Sequence, residues 1–210
     1  LALEKHGQSF KTMAITINGN GTITGISNGA LSADVLTDST IGTGKLTTAA
    51  QNSLKTLAFF NMWRVTQDMN AGTDATVTDW EQVTGDGYGG LGGSLTVSSG
   101  IFTFPSTGIY LIQGAFRILT GNQDGTVNVI LYTTQNNSSY SAAAYTSGGN
   151  STSLSTNTNQ TSVSAFIFDV TDTSTHKFKY ESESMGSESY IHGSTTSNQS
   201  WFTVIKLSET

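Results

Sequence analysis

The stretch from Ile101 to Ile112 constrains the fold of this chain more than any other. Phe102 and Phe104 alternate with small residues, and Pro105, the single proline, stands where no ladder donor is needed. Gly108 frees the backbone to reverse before Ile109-Tyr110-Leu111-Ile112 opens a second extended run. The residues predict a strand, a sharp proline–glycine turn and a second strand, in other words a hairpin corner.

Composition agrees with a sheet protein. Only 11% of the 210 residues are charged, 23 are glycine, and Thr, Ser and Asn dominate the polar positions, which favours strands and turns over helices. The length gives room for one sizeable core plus an appendage. With no cysteine, disulfides and thiolate zinc sites are excluded, which gives weight to a bacterial or viral origin. The net charge of -6, with its nine Lys and Arg scattered singly, forms no basic patch, so neither nucleic acid nor an anionic membrane is an expected partner. No apolar run approaches the ~20 residues that cross a bilayer. Residues 1–12 mix Glu4, Lys5, His6 and Lys11 with few apolar residues, unlike a signal peptide. Met13-Ala14-Ile15 reads as a translation start, leaving 1–12 as an N-terminal arm or a cloning remnant.

From Ala58 onward, strands are expected at 59–67, 94–104, 109–119, 126–134, 140–146, 162–170, 177–182 and 200–207. That is the jelly-roll number of eight. Lys177-Phe178-Lys179-Tyr180-Glu181 alternates cleanly, as a strand with one face in water does. The first, third, sixth and eighth strands are instead apolar on both faces. Phe60, Trp63, Tyr110, Ile112 and Phe116, with Phe166, Phe168, Trp201, Phe202 and Val204, are the candidates for core and subunit interface. Some two-sided strands occur at the edges and bends of any sandwich, but four together predict a homotrimer that covers them.

Phe104, Gly108, Tyr110 and Phe116 resemble the C1q-like branch of the C1q and tumour-necrosis-factor jelly rolls, whose pattern runs Phe, a few residues, Gly-x-Tyr, then alternating aromatics. The likeness extends over about the last two thirds of the chain and is moderately specific. A glycine-rich insertion before the motif departs from it and leaves the first strand's register open. The resemblance implies that the first, third, sixth and eighth strands share an inner sheet facing neighbouring subunits.

Between Ile15 and Leu57 the apolar residues Ile23, Ile26, Leu31, Val35, Leu36, Ile41 and Leu46 fall about five apart, neither a helix nor a strand period. One such chain buries too little to offset its ordering entropy, so it is expected to wrap with copies of itself, placing Ile23, Ile26, Leu31, Leu36, Ile41 and Leu46 on a shared axis. A short helix is expected from Thr47 or Thr48 to Leu57. Asn18 to Ser27 and the stretch from Leu31 to Leu46 resemble N-terminal modules of tail-fibre proteins of marine tailed phages. The expected organisation is an arm at 1–12, an extended intertwined stem for virion attachment at 13–57, and a jelly-roll head at 58–210.

If successive strands run antiparallel, the long polar connections 68–93, 147–161 and 183–199, with 120–125, gather at the end away from the stem. Long loops on a rigid scaffold are the usual seat of recognition. Candidates there are Tyr88, Asn122, Asp124 and Asn150, with Asn157, Asn159, Tyr190 and His192: the tyrosines offer stacking faces, the Asn and Asp side chains hydrogen bonds. Ordinary solvated loop residues would read the same way.

Catalytic patterns are missing. Gly85 to Gly93 lacks the Lys-Ser/Thr and helix of a phosphate loop and reads as a tip loop or bulge. His6, His176 and His192 are dispersed, with no metal-ligand spacing. Glu181, Glu183 and Glu188 are the one acidic cluster that Ca²⁺ would suit, solvated carboxylates being the simpler reading; no other cofactor is expected. No Gly-x-Ser-x-Gly elbow occurs, and depolymerase chemistry would need paired carboxylates in a groove, so no enzyme is expected. The sequence reading is a phage virion fibre, attached through its N-terminal segment to other virion proteins, whose trimeric head binds a bacterial surface glycan or protein. A neck, collar or capsid appendage binding only virion proteins is the alternative, and a non-viral C1q-like adhesin a third.

Overall fold

The structure, a computed structural model, describes residues 57–70, 75–85, 87–121, 124–151 and 156–210. The expected arm, helix and stem, with Ile23, Ile26, Leu31, Leu36, Ile41 and Leu46, lie outside them, as does Asn122.

The described residues form two antiparallel sheets built from β1 (Phe60–Val65), β2 (Ala75–Thr76), β3 (Trp80–Gln82), β4 (Thr96–Ser98), β5 (Ile101–Thr103), β6 (Gly108–Thr120), β7 (Val127–Thr134), β8 (Ser141–Gly148), β9 (Thr158–Val170), β10 (Lys177–Glu183), β11 (Tyr190–Ile191) and β12 (Trp201–Ser208). The first sheet runs β11-β6-β12-β1-β3, with β9 on the other side of β6. The second runs β4-β5-β10-β7-β8, with β2 on β10. The all-β jelly roll expected from the sequence is present, and the four strands read as two-sided do share one sheet.

Alternation decides what fills the space between the sheets. Trp63, Tyr110, Ile112, Phe116, Phe202 and Val204 point inward from the first sheet, and Phe102, Phe178 and Tyr180 from the second. Phe102 stacks on Phe178 at 5.0 Å and meets Phe202 edge-on at 4.8 Å. Trp80 closes one side, 4.9 Å from Phe202, and its buried indole N–H donates to the Val77 carbonyl at 2.8 Å.

Three local expectations are corrected. The corner at Pro105 is not a hairpin: β5 pairs with β4 and β10, whereas β6 pairs with β9, β11 and β12. Residues 104–107 instead carry the chain from one sheet to the other, since Phe104 and Tyr110 both belong to the core that separates them. The Tyr110 hydroxyl clamps this arch by donating to the Ser106 carbonyl at 3.0 Å. Gly108 (φ 147°) is needed for close approach, because a Cβ there would stand 2.7 Å from the Ser208 backbone carbonyl oxygen.

The single strand expected at 94–104 is a hairpin, β4 to β5, turning through Ser99 (φ 49°) and Gly100 (φ 77°). Two positive φ values in a two-residue loop suit the twist of the flanking strands. The expected loop 68–93 holds β2 and β3, and its glycine-rich part is no tip loop. It continues down the edge of β1 below β3, where Phe60 and Leu91 exchange both backbone hydrogen bonds at 3.0 Å. The Asn61 amide holds this segment through Gly93 O at 2.8 Å, and a Cβ on Gly92 (φ 76°) would collide with Ala58 O at 2.0 Å.

The registers sort the connections by end. Residues 66–70, 121, 124–126, 149–151, 156–157, 184–189 and 192–200 gather at one end, the loop end. The arch at 104–107, the turns 135–140 and 171–176, and residues 57–59 and 209–210 lie at the other.

Candidate functional site

At the loop end, two candidates are structural staples. The Asp124 carboxylate accepts from the Gly186 N–H at 2.8 Å and from the Ser189 hydroxyl, and Ser189 Oγ in turn accepts from Gly121 N–H at 2.8 Å. Asn150 is buried; its amide donates to Thr156 O at 2.6 Å and its backbone N–H to Asp124 O at 2.9 Å. Together they tie the β6–β7, β8–β9 and β10–β11 connections into one rigid surface. Asn157 stands exposed just before β9.

Tyr190, His192 and Asn159 form a group, but on the outer face of the first sheet rather than on a loop tip. Tyr190, Leu119 and Asn159 share one row across β11, β6 and β9. The His192 ring lies 2.7 Å from Asn159 Oδ1 through Nε2 and 3.4 Å from Asp68 Oδ1 through Nδ1, with Tyr190 edge-on at 4.7 Å. Tyr88 is not in one of the loop-end connections. It lies in the edge segment beside β1, its hydroxyl accepting from Met62 N–H at 2.9 Å and its ring 6.0 Å from Phe60. The sequence order of a glycine-rich stretch carries no signal of which way it runs.

The interface candidates divide by parity. Trp63, Tyr110, Ile112, Phe116, Phe168, Phe202 and Val204 are buried inside the sandwich, and Phe166 packs partly against the same core. Phe60 and Trp201 face outward. Phe60 belongs to a row that the sequence reading did not isolate: Ile167, Leu111, Ile205 and Phe60 lie side by side across β9, β6, β12 and β1. Ile167 is 59% exposed and Val163, on the same face, 56%. The second sheet's outer face is different in kind. There Lys179 pairs with Glu181 at 2.5 Å and sits 4.5 Å over the Tyr140 ring, whose phenol is raised above its ordinary range by burial and then by Glu181.

The acidic residues do not converge. Glu181 binds Lys179 and Thr76, Glu183 accepts from Asn128 at 3.1 Å, and Glu188 packs beside Gly121. Among the described residues no three His, Cys, Asp or Glu side chains are placed to share a metal ion.

No protein-family description matches the chain, and no curated protein does either. Solved structures do. The Eiger TNF of S. frugiperda superposes with a TM-score of 0.56 at 13% identity, over 73% of this chain and 95% of that one. Murine APRIL at pH 8.5 gives 0.51 at 13% identity, over 71% of this chain and 98% of that one. The fold is a jelly roll of the tumour-necrosis-factor kind. At this identity the likeness concerns the path of the backbone and leaves the chemistry of the surface to this chain's own residues.

Proposed function

We propose that this chain is a virion fibre protein of a bacteriophage: a homotrimeric, non-enzymatic head that adsorbs to a glycan or protein on the bacterial surface, joined to other virion proteins through its N-terminal segment. The observation that carries the reading is the apolar row Ile167, Leu111, Ile205 and Phe60, which crosses four strands of one sheet while the opposite sheet presents the Lys179–Glu181 ion pair. An apolar row exposed at Ile167 and half-exposed at Leu111, Ile205 and Phe60 suits burial against a second copy, and a tumour-necrosis-factor-like jelly roll is a scaffold that tolerates such packing. The connections at the loop end then point together, away from residue 57. Three weak sites on one head raise the effective concentration of each later contact, so avidity exceeds single-site affinity.

One observation favours the rival, a neck, collar or capsid appendage. The Asp124 and Asn150 staples make the loop end rigid, as a surface docking on a fixed virion partner would be. Light scattering on the purified chain is the first test. A mass about three times 22.1 kDa, persisting on dilution, supports the fibre, and a stable monomer overturns it. Adsorption of the soluble trimer to intact bacteria then selects the fibre head, whereas binding only to particles lacking the protein selects the appendage.

A further inference from the structure

Above the Phe60 row and beside the loop end, a cleft of about 300 Å³ opens on the outer face of the first sheet. Met62 and Arg64 of β1 line it, with Tyr88 from the edge segment and Thr196, Ser197 and Asn198 from the β11–β12 connection. Its size is at the lower end of the range for small-ligand sites, enough for one or two rings.

Each wall has a fixed part and an unused part. The Tyr88 phenol is held by Met62 N–H and its ring is backed by Phe60, so the ring is set before any ligand arrives. Arg64 is only 13% exposed and is anchored by Nε to Glu81 Oε1 at 2.6 Å and by Nη2 to the Thr195 carbonyl, which leaves other guanidinium N–H groups unengaged among the described residues. Asn198 donates to Met62 Sδ at 3.6 Å, and a thioether is a weak acceptor, so its amide remains able to take a better one. Gly85 and Gly87 (both φ 80°), also in the lining, present no side chain, and a Cβ at either would meet nothing within 4 Å.

We propose that this cleft is a saccharide subsite for a neutral hexopyranose. A pyranose has an apolar C–H face and a ring of hydroxyls that both donate and accept. The lining matches that duality, with an aromatic ring and a thioether as apolar surface and an amide, a guanidinium and hydroxyls as polar groups. Glu81 compensates the Arg64 charge, which selects a neutral sugar over a uronic or sialic acid. The proposal rests on the fibre reading and names the substrate class of its head.

The test is saturation-transfer NMR on the full chain with the methyl glycosides of glucose, galactose, mannose and N-acetylglucosamine, followed by titration of the best. Asn198→Ala and Thr196→Val should each weaken binding about tenfold, while Gln135→Ala, an exposed side chain on the turn at the opposite end, leaves it unchanged. Both cleft variants alter exposed loop side chains and should keep the parent's mass in solution. Failure of all four glycosides to receive saturation, or binding that responds to Gln135→Ala and not to the cleft variants, overturns the subsite. Cell adsorption on the same preparations separates the two ideas. Adsorption undiminished by Asn198→Ala sinks the subsite and spares the fibre, whereas cleft-dependent glycoside binding without adsorption to any cell sinks the fibre and spares the subsite.

Discussion

Tyr110 and Tyr180 are both fully buried, face the same core, and treat their hydroxyls differently. Tyr110 donates to Ser106 O across the inter-sheet arch. Among the described residues Tyr180 Oη has no partner; it fits against Gly114, where a Cβ would stand 2.7 Å away, and burial holds its phenol far above the ordinary range. A buried hydroxyl without a partner carries its desolvation cost uncompensated. Tyr110→Phe should therefore lower unfolding stability by about 1 kcal/mol, whereas Tyr180→Phe should leave it equal or raise it by up to about 1 kcal/mol, both read from urea midpoints at constant m. Tyr110 was legible in the sequence through its Gly-x-Tyr context. Nothing in the sequence distinguishes the two hydroxyls, because the Ser106 carbonyl is brought to Tyr110 only by the arch.

Among the elements, the β4–β5 turn and the β9–β10 turn each depend on one residue. Gly100 has φ 77°, and a Cβ there would lie 2.3 Å from Val77 O, so Gly100→Ala should cost at least about 1–2 kcal/mol, with loss seen in thermal and urea unfolding alike. In the second turn Asp172 Oδ1 accepts from the Ser174 hydroxyl at 2.7 Å and the Ser174 N–H at 2.8 Å, which holds its carboxyl below the ordinary aspartate range. A depressed carboxyl contributes stability that is present above the unfolded-state value and lost as pH falls through the folded one. Asp172→Asn should remove that acid-limb dependence, and the carboxyl carbon of the parent should titrate in NMR below an unstructured aspartate. Strand existence was legible because period-two alternation marks it, but alternation names a face and not a neighbour, which is why β5 and β6 read as partners. The missed β4–β5 hairpin did leave a trace: inward residues are odd-numbered at Leu95 and Val97 and even-numbered at Phe102 and Phe104, a parity flip that two turn residues produce.

For the whole molecule, the apolar row on the outer face of the first sheet is the surface on which the proposed assembly rests. Leu111→Glu places a charge within the apolar row and Ile167→Glu one at its β9 end, neither touching the core, so either should reduce the light-scattering mass to about one third while the circular dichroism of the β fold persists. That such a face exists was legible from four strands apolar on both sides. Which residues occupy it was not, because one residue of register exchanges every inward side chain for an outward one, and only the pairing of β1, β6, β9 and β12 supplies the register.

The position of β12 reaches beyond stability. It is the last strand of the domain along the chain, yet it lies inside the first sheet, between β6 and β1. During synthesis β1, β6 and β9 leave the ribosome with an open slot among them, each flanking edge a row of unpaired backbone donors and acceptors. The sheet closes only when residues 201–208 emerge. A nascent chain therefore cannot offer a finished face early, and under the proposed trimeric assembly three chains would meet only after translation of the head is complete. Loss of that final segment would leave a gap in the middle of the first sheet rather than a frayed margin.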